Sequence, residues 1–185
     1  MNAQIDISDV VLKTQRLTLR PFCRDDLDDL FEYASVDGVG QPAGWSPHKD
    51  KAESQRILDM FIANKNNFAI VYNGKVVGSL GVERYDESLL PELADKQGRE
   101  LGYVLAADLW GRGLMTEAVQ AVIRYLFEKV GLDFLVCGHS VDNQRSYRVQ
   151  QKCGFVHVKQ FMYHTSAYGD RQSWLSLLNN SAKNN

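Results

Sequence analysis

A chain of 185 residues is long enough to bury a proper core within one domain, and 44% hydrophobic with 24% charged residues is the composition of a folded rather than a disordered protein. A formal charge of −2 gives no electrostatic reason to expect nucleic acid, and no apolar run approaches the roughly 20 residues that span a bilayer. The opening MNAQIDISDVV lacks the basic and apolar stretches of a secretory signal, so a cytoplasmic protein is expected.

Residues 16–21 alternate apolar and polar side chains, which predicts a first strand with Leu17 and Leu19 inward. Asp25 and Asp26 stand where the first turn of a helix favours acids, and Leu27, Leu30, Phe31 and Ala34 recur behind them at helical spacing. Gly38, Gly40, Pro42, Gly44 and Pro47 make a breaker-rich loop, and a second helix is expected over about residues 49–63. Residues 68–72 and 75–82 flank Asn73-Gly74, a pair suited to the two positive φ angles of a tight hairpin. Residues 86–98 read as a loop and 99–105 as the next strand. A glycine turn, Gly111-Arg-Gly113, then opens a long amphipathic helix over 115–129 that Gly131 stops. Residues 134–139 read as a buried strand and 146–152 as a short helix ended by Gly154. Residues 155–163 and 172–178 form a closing hairpin around 167–170. The expected order is β-α-α-β-β-β-α-β-α-β-β, an α/β fold of the α+β mixed-sheet kind. A single domain spans residues 1–178, and residues 179–185 form a polar tail.

Three distant cysteines, Cys23, Cys137 and Cys153, fit reduced thiols rather than a disulfide frame. The four histidines form no metal-ligand spacing, so no metal site is expected. The chemistry gathers instead at the glycine turn. Unpartnered N–H groups and the helix dipole make a helix N-terminus an anion cradle, and glycines let a phosphate approach the backbone. The turn is neither a P-loop, since no Gly-Lys-Ser/Thr occurs, nor a dinucleotide fingerprint, since position 116 is Thr. By itself it is equally a plain turn before a core helix. A second cluster runs from Asp142 to Phe155. Asn143 is a helix N-cap candidate there, and Asn, Ser and Tyr collect at the end of a buried strand, where α/β ligands bind.

Five segments in order carry a resemblance: Thr14-Gln-Arg-Leu-Thr-Leu-Arg-Pro21, Gly44-Trp-Ser-Pro-His-Lys49, Glu100-Leu-Gly-Tyr103, Trp110-Gly-Arg-Gly-Leu-Met-Thr-Glu-Ala118, and Asn143-Gln-Arg-Ser146 up to Gly154-Phe155. Over nearly the whole chain the sequence resembles the GCN5-related N-acetyltransferase (GNAT) superfamily, in its ribosomal-protein N-terminal acetyltransferase (RimJ/RimL-like) branch. The resemblance implies a sheet opened between the fourth and fifth strands of the order above, with the pantetheine arm of acetyl-CoA in the opening. Trp110, Gly111, Arg112, Gly113, Leu114, Met115 and Thr116 would then wrap the pyrophosphate, held mainly by the backbone amides of residues 112–116, and Leu105 would contact the cofactor beside them. Trp110 and Met115 depart from the family's loop. Met115 stands either near the cofactor or toward the core, and Arg112 either contacts phosphate or is solvated. Asn143 would bond the pantetheine arm, and Ser146 would sit near the thioester sulfur.

The implied chemistry is direct attack of an amine on the acetyl carbonyl, which needs a base, an oxyanion donor and a group for the departing thiolate. Glu100 is the candidate base and Glu83 the second. A backbone N–H among residues 103–105, Tyr103 included, would serve the oxyanion. Many superfamily members carry a tyrosine four residues before the glycine of the Gly-Phe pair, but Gln150 stands there. Ser146 is the substitute, as an acid or only as a hydrogen-bond partner of sulfur; Tyr147 points about 100° away on a helix. Trp45, Pro47 and His48 lie in the loop that borders the acceptor entrance, with Trp45 either walling a slot or plugging the second helix, and Tyr163 to Arg171 of the last hairpin, Tyr168 and Asp170 among them, are candidates for the opposite wall. The acceptor is a primary amine: a protein N-terminus or a small molecule such as a polyamine, an amino acid or an aminoglycoside. A non-catalytic CoA-binding module is the remaining alternative, and a monomer or a homodimer is equally compatible.

Overall fold

The computed structural model describes residues 1–165 and 167–183; Ser166 and the tail residues Asn184 and Asn185 lie outside the described residues. The elements are β1 (Leu12–Lys13), β2 (Leu17–Pro21), α1 (Leu27–Ala34), α2 (Lys51–Asn64), β3 (Asn67–Tyr72), β4 (Lys75–Glu83) and β5 (Gly98–Leu105). They continue with α3 (Leu114–Tyr125), β6 (Phe134–Ser140), α4 (Gln144–Lys152), β7 (Val156–Thr165) and β8 (Gly169–Asn179). Eight strands form one mixed sheet in the order β1-β2-β3-β4-β5-β6-β8-β7.

Local chemistry sets most boundaries. Asn73 (φ 52°) and Gly74 (φ 81°) both take the left-handed conformation that the β3–β4 hairpin needs. Asp50 caps α2 by accepting the Glu53 N–H at 2.8 Å. Asp26 does more than sit at a helix start. It is buried, and it pairs with Arg20 at 2.7 Å while accepting the Cys23 N–H at 2.8 Å. Three features differ from the sequence reading. The two-residue strand β1 is too short for any alternation to reveal. The loop before β5 contains 3-10 turns at Glu87–Leu89 and Pro91–Leu93. The regular part of α3 stops at Tyr125 and widens into a π-helical turn, Leu126–Val130, before Gly131 (φ 78°) ends it.

Helices cover both faces. Leu114, Ala118, Val119 and Val122 of α3 pack with Leu17, Leu19, Leu101 and Leu105 on one face, where Val149 of α4 and Cys153 just after it join them. On the other, Leu30, Tyr33 and Leu58 of α1 and α2 pack with Phe22, Ala69 and Val76. The feature that positions the site is the junction of β5 and β6. Their parallel pairing covers only Gly98↔Phe134, Arg99↔Leu135 and Glu100↔Val136, after which the strands part. At the paired end Gly98 lies on the Phe134 ring so closely that a Cβ there would stand 2.3 Å from it. The expected opening between these two strands is therefore present.

Candidate active site

A cavity of about 410 Å³ occupies the opening. Of the candidate residues, Glu100, Tyr103, Leu105, Trp110, Gly111, Gly113, Leu114, Met115, Thr116, Asn143 and Ser146 line it, whereas Arg112, Trp45, His48 and Glu83 do not.

The glycine turn has the geometry of an anion cradle. Gly111 (φ 78°) and Gly113 (φ 76°) are both left-handed, and no side chain caps the α3 N-terminus. A Cβ added to Gly111 would meet nothing within 4 Å, and one added to Gly113 only Arg16 Nη2 at 3.7 Å. Open space thus adjoins the backbone where a phosphate would approach, and the donors of the first helical turn fit that group. Leu114 and Met115 are buried in the core, so the helix start offers its backbone rather than these side chains. The Trp110 indole N–H donates to Leu105 O at 2.8 Å, and the Arg145 guanidinium lies 3.7 Å from the centre of a Trp110 ring. Trp110 thereby ties the turn to both β5 and α4. Arg112 is exposed and donates to Asp108 O at 3.1 Å.

A brace behind the turn escaped the sequence reading. Glu117, in the first turn of α3, accepts from Thr14 Oγ1 (2.6 Å), the Arg16 N–H (2.9 Å) and Arg16 Nε (2.6 Å). Arg16 Nη1 donates in turn to Arg112 O at 2.9 Å. The β1–β2 connection therefore holds the cradle from behind. Also unanticipated are Arg145, Arg148 and Lys152, three cations on α4 that line the cavity. Their spacing of three and four residues puts them on one helix face, a signal present in the sequence.

Across the opening, the Asn143 side chain accepts the Ser146 N–H at 3.1 Å, which is the N-cap arrangement. Ser146 Oγ lies 3.0 Å from the Tyr103 hydroxyl, and Gln150 Nε2 donates to it at 3.1 Å. Strand residues alternate the side to which their N–H points. The Ala106 N–H bonds Val77 O on β4, so those of Tyr103 and Leu105 face the opening, where β6 no longer supplies acceptors.

Glu100 projects from the face of β5 opposite Tyr103. Burial, chiefly, pushes its carboxyl up to about 7, with Glu83 and Asp86 adding repulsion and a Gly138 N–H opposing them. Glu83, its cross-strand partner, is satisfied by Asn66 Nδ2 (2.7 Å) and Asn67 Nδ2 (3.0 Å). Trp45 packs in the α1–α2 core and lies over Gly40, whose added Cβ would stand 2.1 Å from the indole; His48 Nδ1 bonds Ser54 Oγ at 2.7 Å. The part of the cavity expected to take the acceptor is walled by Pro42, Ala43 and Gly44 on one side and, on the other, by Phe161 with Tyr163, Thr165 and Arg171 of the hairpin stretch expected there. Arg171 clamps the two together by donating to Gln41 O at 2.8 Å. Tyr168 lies under the Arg171 guanidinium at 4.6 Å and Asp170 pairs with His164 at 2.7 Å, and neither lines the cavity.

The family profile of the acetyltransferase (GNAT) domain matches residues 16–156. The chain is 29% identical over 163 residues to N-acetyltransferase YoaA of Bacillus subtilis, itself uncharacterized, covering 83% of this chain and 88% of that one. Among solved structures it is similar to an acetyltransferase of the GNAT family from Bacillus anthracis, with a TM-score of 0.80 at 20% identity over 92% of this chain and 99% of the other. It is also similar to the ribosomal-protein-S5-alanine acetyltransferase of Vibrio fischeri, with a TM-score of 0.71 at 18% identity over 94% and 98%. With the family profile spanning well over half of its length, the chain belongs to the GNAT acetyltransferases and is an acetyl-CoA-dependent N-acetyltransferase.

Proposed function

We propose that this enzyme acetylates the N-terminal amine of a protein, with Glu100 as the base. The observation that carries the reading is the division of labour across the opening: an anion cradle and hydroxyls on one face, and a carboxyl of pKa about 7 on the other. Acetyl-CoA supplies an acetyl group activated as a thioester. The backbone donors at Gly111 to Thr116 hold its pyrophosphate, and the pantetheine arm runs between β5 and β6 past Asn143. Glu100 takes the proton of the attacking amine, through a water where the reach requires one. The N–H groups of Tyr103 and Leu105 receive the negative charge that develops on the carbonyl oxygen. Residues 1–178 act as one domain, and three free thiols suit a cytoplasmic setting.

Support for a protein N-terminus over a small amine comes from the RimJ/RimL-like sequence marks and from the solved acetyltransferase of a ribosomal protein with the same fold. The test is thiol release from acetyl-CoA across peptides with different first residues and a panel of polyamines, amino acids and aminoglycosides. Peptides are expected to give the highest kcat/KM. Preference for a small amine overturns the assigned acceptor, and CoA release with none of them overturns amine transfer.

A further inference from the structure

Buried polar groups on the α3–α4 face form a chain that ends in the cavity. Ser176 Oγ (2.7 Å) and His139 Nδ1 (3.1 Å) both approach Gln150 Oε1. An amide oxygen only accepts, so both are donors, and the Gln150 NH₂ is turned the other way. Burial, and then the neighbouring His157, depress the His139 pKa, consistent with a neutral ring whose one proton is on Nδ1. Gln150 is 1% exposed and Ser176 0%, so water does not compete for these bonds. The NH₂ donates to Ser146 Oγ, which lies 3.0 Å from the Tyr103 hydroxyl. Ser146 and Tyr103 hold two hydroxyl hydrogens between them, and their mutual bond uses one. When Ser146 donates to the phenol oxygen, the phenol hydrogen has the Ser146 carbonyl oxygen at a long 3.3 Å as its protein acceptor, a weak bond that an anion in the cavity lined by Tyr103 can replace.

We propose that the Tyr103 hydroxyl donates a hydrogen bond to the departing thiolate, supplying from β5 the hydroxyl that α4 lacks at Gln150, and that Gln150 is the positioning residue for the Ser146–Tyr103 pair. The proposal rests on the acetyl-transfer reading. In that reaction the amine nitrogen bonds the acetyl carbon and its proton passes to Glu100. The C–S bond then breaks, the carbonyl re-forms and the electron pair remains on sulfur, where the phenol O–H meets it. Burial raises the Tyr103 pKa well above its ordinary value, so the phenol keeps its proton. The thiolate takes a proton from water as it leaves, and Glu100 returns its own to water. Tyr103 and Glu100 stand on opposite faces of one strand, which keeps the group facing the thiolate apart from the base.

The test titrates the thiol of bound CoA, by thiolate absorbance, in the wild-type protein and in Y103F and Q150L. A donor to the thiolate lowers that pKa, so it is expected to be higher by about one to two pH units in Y103F, and by less in Q150L. The kcat of Y103F should fall about 100-fold with acetyl-CoA affinity unchanged, since only the developing charge loses a partner. Identical titrations in wild type and Y103F, with CoA bound in both, overturn this proposal alone. Failure of the wild-type protein to bind CoA sinks the acetyl-transfer reading and the proposal with it.

Discussion

Glu100 illustrates how one side chain is set against the stability of the fold that carries it. Its carboxyl is held up to about 7, mainly by burial, so it binds a proton in the folded state at pH values where the unfolded chain has lost it. The sign follows directly: folding is undisturbed below about pH 4.5, loses stability as pH rises from there to about 7, and bears the full cost above. By linkage that cost is on the order of 3 kcal/mol. E100Q is therefore expected to unfold at higher denaturant than wild type at pH 8, with the gap closing toward pH 4.5. The same substitution should lower kcat/KM about 100-fold at pH 8 and abolish the rise in rate through pH 7. A pH–rate profile that keeps its limb in E100Q would remove Glu100 from the role of base.

Legibility at this scale followed the backbone. Glu100, Gly111, Gly113 and Asn143 were readable because strand alternation, a glycine turn and a cap are local patterns. Trp45 and His48 were not, because the choice between a slot wall and a core plug is made by Gly40 and Ser54, which only the folded chain brings beneath them. The Tyr103 N–H faces the opening as strand alternation foretells, but the hydroxyl acquires its place through Ser146, 43 positions away.

Among the elements, the start of α3 depends on a neighbour outside it. Glu117 in the first turn of α3 grips Thr14 and Arg16 on the β1–β2 connection. Two consequences separate the cradle from its brace. G113V adds a side chain to a left-handed position in open space, at a backbone cost of about 1–2 kcal/mol, and fills the approach to the helix N-terminus. Acetyl-CoA binding measured by calorimetry should be lost while the circular dichroism spectrum is retained. E117A leaves the N–H groups in place but frees the turn, so a roughly tenfold weaker affinity with unchanged kcat is expected, equal to about 1.4 kcal/mol. Equal affinities of E117A and wild type would show that the turn stands without its brace. The two-residue β1 that completes this arrangement lies below the length at which periodicity carries any signal.

On the scale of the whole molecule, the order of elements was readable because the hairpins and amphipathic helices are local, whereas the extent of the opening was not. The Gly98–Phe134 contact marks the paired end and the strands part after Glu100, both features of a pairing 36 positions apart in sequence. A ligand lying in that opening touches both sides, so acetyl-CoA at 100 times its Kd should add about 2.7 kcal/mol and raise Tm by roughly 5–10 °C in a chain of this size. A Tm unmoved by saturating acetyl-CoA contradicts binding to the folded state.

The brevity of that parallel junction has a further consequence. Strands β1 to β5 come wholly from the chain before α3, and β6 to β8 wholly from the chain after it, so a cut at Gly131 separates two antiparallel sheets without severing a hairpin. Three paired strand positions, a shared core and a few polar contacts such as Arg171 to Gln41 O and Tyr103 to Ser146 then hold the pieces together. Co-expressed as fragments, residues 1–131 and 132–185 should reassemble, with acetyl-CoA acting as the splint that fastens one to the other.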